Sequence, residues 1–228
     1  MRSKADVGVL KRLILLIISM LIFAVILFVS YGGIDWVMGW VYMAIVAFST
    51  SITTFKMDKG LFDERIGKKA GMKKWDIPLA AFIGRFGPVA LLIVAGLDKR
   101  HGWSLEIPLS IKISALLIFI FGLYIVYRAV IVNRFFSAVV RIQEDRGHSV
   151  VSSGPYRYVR HPGYTGVILY IGASAIVLES LWALIPAGLI LIVTVVRTFL
   201  EDRTLVSELE GYLDYTGRVR HRLIPFVW

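Results

Sequence analysis

There is no cysteine anywhere in the chain. That excludes disulfide cross-links, thiolate metal centres and a cysteine nucleophile, whatever compartment the protein occupies. Histidine is scarce too: the four present, His101, His148, His161 and His221, lack the paired spacing of metal ligands, so no metal site is expected. No Walker loop, G-x-G-x-x-G fingerprint or G-x-S-x-G elbow occurs, which excludes the familiar soluble cofactor folds at motif level. Acidic residues are in deficit, 16 against 26 Lys and Arg, giving a formal net charge of +10. On a soluble domain that excess would suggest nucleic acid. Here the cations flank apolar runs, and attraction to anionic lipid headgroups, worth about 1 kcal/mol per basic residue at the surface, explains them better. No nucleic-acid partner is expected.

What the chain has in abundance is hydrophobicity, 57% of its residues. Apolar runs at about 13–31, 36–55, 77–97 and 108–132, then a pair at about 164–179 and 181–200, approach the roughly 20 residues a helix needs to cross a bilayer. They are continuous rather than alternating, so they predict helices and not barrel strands. The expected fold is all-α: a polytopic membrane protein of about six helical segments, the last two forming a hairpin across Glu179 and Ser180. The first run is too long for a signal peptide and lacks a small-residue cleavage site, so it should remain in the mature protein. Basic residues retained on the cytoplasmic side set the orientation. Arg2, Lys4, Lys11 and Arg12, then Lys56, Lys59, Arg65, Lys68, Lys69, Lys73 and Lys74, put both termini and the loop 133–163 inside. The division expected is residues 1–106, a three-span region with little chemistry beyond Arg85, and residues 107–228, where the polar features crowd.

Two constellations stand out there. In "GPYRYVRHPGYTG" (154–166), Pro162 suits the first turn of a helix whose free N–H groups near Gly163 and Tyr164 would favour an anion. Arg160 and His161 add donors, Gly163 and Gly166 allow close backbone approach, and Tyr164 offers a ring face. Arg157, Tyr156 and Tyr158 read equally well as a membrane-interface belt. The second constellation is helical: at 100° per residue, Arg197, Glu201, Thr204, Glu208, Tyr212 and Tyr215 fall within an arc of roughly 80°, provided Gly211 does not break the helix. By the same arithmetic Asp202 points about 100° away, which makes Glu201 the better site residue of that pair.

These stretches, together with "NRFFS" (133–137), "RTFLEDRTLVSEL" (197–209), "GYLDY" (211–215) and "RLIPFVW" (222–228), resemble the C-terminal signature of the isoprenylcysteine carboxyl methyltransferase family and, more distantly, phospholipid N-methyltransferases. The resemblance covers about residues 120–228. It implies an integral-membrane enzyme that binds S-adenosylmethionine in a cytosol-facing pocket, and a lipophilic substrate entering from the bilayer. Arg160, His161, Pro162, Tyr164 and Gly166 match its first motif, and Glu201 matches the first position of its acidic doublet, whose second position, often Glu, is Asp202 here. Glu201 or Glu208 would suit the cofactor's ammonium or ribose. Arg197 would hold a substrate carboxylate, oriented by Glu201, with Asn133 and Tyr212 as further substrate contacts. An amine acceptor, needing a carboxylate such as Glu208 to steer its proton, stays open. So does an NADPH-dependent membrane reductase of the sterol type, which carries a similar Arg-His-Pro motif, although the acidic helix would repel a 2′-phosphate.

Overall fold

The computed structural model describes residues 4–67 and 69–228, with side chains from Val9 onward. Arg2 and Lys68, and the side chain of Lys4, all counted above as topological cations, lie outside the described residues. Helix α1 (Lys4–Tyr31) and α2 (Val37–Lys56) are followed by a short α3 (Lys59–Arg65), opened by Asp58, whose carboxylate accepts from Leu61 N at 3.2 Å. The third long element begins as α4 (Asp76–Ala81), passes through a π-helical turn at Phe82–Phe86, and continues as α5 (Gly87–His101) until Gly102, at φ +65°, ends it. Then come α6 (Leu109–Val132), α7 (Pro162–Val177), α8 (Leu184–Glu208) and α9 (Tyr212–Arg218). There is no strand among the described residues.

Five of these elements are long and apolar enough to cross a membrane; α7, at 16 residues, is shorter. Their outer faces stay apolar, with Val29 69%, Phe48 69% and Ile192 62% exposed, as helices solvated by lipid tails require. Inside, Leu27, Leu91, Phe119, Ile171 and Ile190 form part of one continuous core. The closest helix contact is between α6 and α7. A Cβ on Gly122 would stand 2.6 Å from Tyr170 N, and one on Gly166 would stand 2.6 Å from the Gly122 carbonyl. Both positions need glycine because the two backbones touch, the small-residue mode of packing in lipid. Gly166 therefore joins two helices instead of approaching a ligand.

The α7–α8 connection is the expected tight hairpin, built around Glu179 at φ 55°. Glu179 is held by Lys99 at 2.7 Å, Lys112 at 2.8 Å and Trp36 Nε1 at 3.4 Å. Beside it the Ser180 hydroxyl donates to buried Asp98 and caps Ala183 N at 3.0 Å. This polar knot closes one end of the bundle. The other end receives α3, the 133–161 loop and the chain after α8, and there the cavity lies.

Candidate functional site

A cavity of about 310 Å³ opens between the 133–161 loop, the N-terminal turns of α7 and the last turns of α8. The π-helical turn contributes Ile83 and Gly84 to its wall, and Arg65 reaches in from the end of α3. Arg85, the intramembrane cation noted in the sequence, is exposed and does not line the cavity. The π turn aims its neighbours inward instead.

Arg160 and His161 line the cavity, yet their side chains are tied down by the protein. Arg160 donates from Nε and Nη2 to the two oxygens of Asp202, at 2.7 and 2.9 Å, and from Nη1 to the Val219 and Arg220 carbonyls, both at 2.8 Å. Asp202, 2% exposed, also accepts from Tyr212 OH at 3.0 Å and Arg222 Nε at 2.8 Å, and faces His161 Nε2 at 3.2 Å. Since a carboxylate only accepts, Nε2 carries the proton, which leaves Nδ1 of a neutral His161 as an acceptor. The segment is further pinned from its backbone: Arg160 N and His161 N donate to the His221 and Arg222 carbonyls, each at 2.9 Å. Thus the guanidinium of Arg160 and the Nε2 of His161, read above as donors for a ligand, are engaged by the protein. Of the helix-terminal N–H groups, Tyr164 N donates to the His161 carbonyl at 3.0 Å, and Gly163 N is the one left open.

Facing the cavity are Arg197, Tyr164 and Glu201. The Arg197 guanidinium is buried and lies 5.3 Å from the Tyr164 ring centroid. Its orienting partner is Asp76, the first residue of α4, which accepts from Nε at 2.6 Å and Nη2 at 2.8 Å; Ala138 O accepts from Nη2 as well. Glu201, expected in that role, instead accepts from the Tyr164 hydroxyl. Asp76 is 0% exposed and also receives Val140 N at 2.6 Å, so it fixes the arginine and the loop together. No buried side-chain nitrogen lacks a partner among the described residues. Arg197 Nη1 has no hydrogen bond among the described residues, so it reaches accessible space, and the cavity is what Arg197 lines.

Arg65 is the second cation on this wall. It donates from Nη1 to Phe136 O at 2.9 Å and lies 5.4 Å from the Phe136 ring, with no carboxylate partner among the described residues. Burial, and then the nearby charge of Arg197, pull its pKa down from the ordinary arginine value. Arg141 also lines the cavity but is neutralised by Glu64, at 2.7 and 2.8 Å, and by Asp145 at 2.8 Å. Glu201 is the one acidic residue among those lining the space.

The remaining sequence-predicted residues divide. Asn133 and Tyr212 line the cavity, yet Asn133 is bonded to Tyr156 OH at 3.1 Å and Phe135 N at 2.8 Å. Pro162 opens α7 as expected but faces away from the cavity, and Gly166 is buried against α6. Glu208 stands outside it, in a surface ion pair with Lys73 at 2.6 Å. Gly211, at φ +76°, does break the helix, so Tyr212 and Tyr215 come back through a turn and α9 rather than along the face of α8. Asp76 and Arg65 were missed. Asp76 is one carboxylate in a polar loop, and Arg65 sits in a run of cations that topology alone explains; neither has a local signal.

Residues 115–207 match the profile of the isoprenylcysteine carboxyl methyltransferase (ICMT) family. The protein-S-isoprenylcysteine O-methyltransferase of Mus musculus is 34% identical over 100 residues, 40% of this chain and 33% of that protein. A probable protein-S-isoprenylcysteine O-methyltransferase of Oryza sativa subsp. indica is 27% identical over 102 residues, 42% of this chain and 50% of that protein. The match therefore spans a third of the mouse protein's length and half of the rice protein's. The matched segment includes Asn133, the Arg-His-Pro turn, Arg197 and the acidic pair, and over that segment the chain is similar to the isoprenylcysteine carboxyl methyltransferase family.

Proposed function

We propose that the protein is an integral-membrane methyltransferase that uses S-adenosylmethionine to methylate the carboxylate of a lipophilic substrate, an isoprenylcysteine or a related isoprenoid acid. The observation that carries this reading is the pair of guanidiniums on the cavity wall. Arg197 is locked by Asp76 with Nη1 left open, and Arg65 stands near it with no ion pair among the described residues. Two like charges in a partly desolvated space favour an anion between them. An arginine fork suits a carboxylate in particular. An amine acceptor would meet the same two charges and only one carboxylate, Glu201, already bonded to Tyr164.

The lining also fits the methyl donor in kind. Glu201 keeps one oxygen for an ammonium or a ribose hydroxyl, Gly163 N is open for a carboxylate, and the rings of Phe135, Tyr156 and Tyr164 offer faces for adenine. When bound, S-adenosylmethionine supplies an electrophilic methyl on a sulfonium. The protein's part is positioning: Arg197 and Arg65 hold the carboxylate ionised and oriented, and the aromatic wall keeps water away from it. A carboxylate is ionised at neutral pH, so no residue has to accept a proton. The loop cations Lys56, Lys59, Lys69, Lys73 and Lys74 lie at the cavity's end of the chain, which supports a cytosol-facing site. The exposed apolar helices support a substrate arriving from the bilayer.

The test is methylation of an isoprenylcysteine probe by detergent-purified protein, beside calorimetric titration with S-adenosylhomocysteine and an NADPH control. Arg65→Gln and Arg197→Lys should each lower kcat/KM on the order of tenfold to a hundredfold, the value of a charged hydrogen bond, with S-adenosylhomocysteine affinity kept. Full activity in both variants would remove the carboxylate assignment. Binding of NADPH in place of S-adenosylhomocysteine would turn the reading to a reductase.

A further inference from the structure

On the opposite side of the α6–α7 pair from the cavity runs a second, larger depression of about 720 Å³. Its floor is apolar: Phe121 and Ile125 of α6, Leu169 of α7, and Leu223 and Pro225 of the C-terminal segment. Two cations, Arg128 and Arg157, stand on its rim, both exposed, and neither has an ion pair among the described residues. Arg128 donates only to Tyr124 OH, at 3.2 Å. No acidic residue lines the depression. Depth and charge are ordered along one direction. Arg128 is one turn from the end of α6, whereas Phe121 lies about 10 Å deeper along the helix axis, and Leu169 is displaced similarly from Pro162. Phosphate-level charge at the mouth and hydrocarbon-level surface below it is the profile of one phospholipid molecule.

We propose that this groove is a binding site for one anionic phospholipid of the bilayer, its phosphate between Arg128 and Arg157 and an acyl chain along Phe121, Ile125 and Leu169. The site is separate from the proposed substrate carboxylate site and does not rest on methyl transfer. It accounts for Arg157 and Tyr158, residues of the 154–166 stretch that the cavity does not use. The groove also touches the machinery from behind. Leu223 forms part of its wall, and the Leu223 carbonyl accepts from Thr165 Oγ1 at 2.7 Å. The preceding residues, His221 and Arg222, are those whose carbonyls hold Arg160 N and His161 N. An occupying lipid braces the C-terminal segment against α7, and so braces the wall of the cavity.

Native mass spectrometry of detergent-purified protein, with phosphatidylglycerol or phosphatidylcholine added, tests this directly. Retention of one phosphatidylglycerol in preference to phosphatidylcholine is expected. Two surface arginines contribute about fivefold each near an anionic lipid, on the order of 25-fold together. Arg128→Gln with Arg157→Gln should abolish that preference while leaving the lipid-free melting temperature unchanged. Ile125→Trp, which fills the trough and keeps both arginines, should reduce retention too, and inorganic phosphate should not compete. Equal retention of the two lipids by the wild type, or undiminished phosphatidylglycerol retention in the double variant, would overturn the site. Competition by inorganic phosphate with unchanged retention in Ile125→Trp would reduce it to a surface anion contact and overturn the lipid assignment.

Discussion

Asp202 gathers Arg160, His161, Tyr212 and Arg222 on one buried carboxylate. Changing it to Asn leaves the Arg160 guanidinium buried without a counter-charge, a loss of about 3–5 kcal/mol for a broken interior pair. Thermal unfolding in detergent should show the drop, and S-adenosylhomocysteine binding should fall with it. Glu201→Gln, one residue earlier, should leave folding nearly unchanged and weaken ligand binding. The sequence shows half of this contrast: helical spacing separates the faces of the two acids, but ranking Asp202 as the lesser residue follows only if its face is empty. That face is filled by α9 and the C-terminal segment, which no local pattern reveals. His148 makes a second residue-scale case. Burial, followed by the charges of Arg141 and Arg146, pushes its ring from 6.5 down to about 4. The folded protein keeps it neutral where the unfolded chain takes up a proton. This group's stability is complete above about pH 6.5 and lost as pH falls toward 4. His148→Gln should flatten the melting temperature over that interval.

Among the elements, the long helices were readable because lipid imposes one solution on an apolar run: internal hydrogen bonds over its whole length. The observed α2 and α6 begin and end within about a residue of the expected spans. By contrast, α1 ends where expected but begins at Lys4 rather than about 13, and α8 runs on to Glu208 rather than ending near 200. The π turn in the third element and the break at Gly211 were not readable, since both answer to packing rather than to hydropathy. Where α6 meets α7, sequence shows only two glycines among many. Their backbones meet at distances that exclude a side chain, so Gly122→Ala should lower stability by about 1–3 kcal/mol, the cost of overpacking. Gly84→Ala, where a Cβ meets nothing within 4 Å, is the matched control and should leave the melting temperature unchanged or slightly raised.

For the whole molecule, the absence of native cysteine permits a direct test of orientation, because any introduced thiol is the only one. Leu105→Cys, in the loop between α5 and α6, should react with an impermeant maleimide added to intact cells. Ser152→Cys, in the loop bordering the cavity, should react only after permeabilisation; the reverse pattern would place the cavity outside. Finally, the Asp76–Arg197 bond joins a residue outside the family-matched segment to one inside it. Exchange of the matched segment between relatives is therefore not modular. A chimera carrying residues 115–207 on foreign N-terminal spans would inherit the arginine without its carboxylate and without Arg65 beside it. Its activity should return only when both partners travel with the graft.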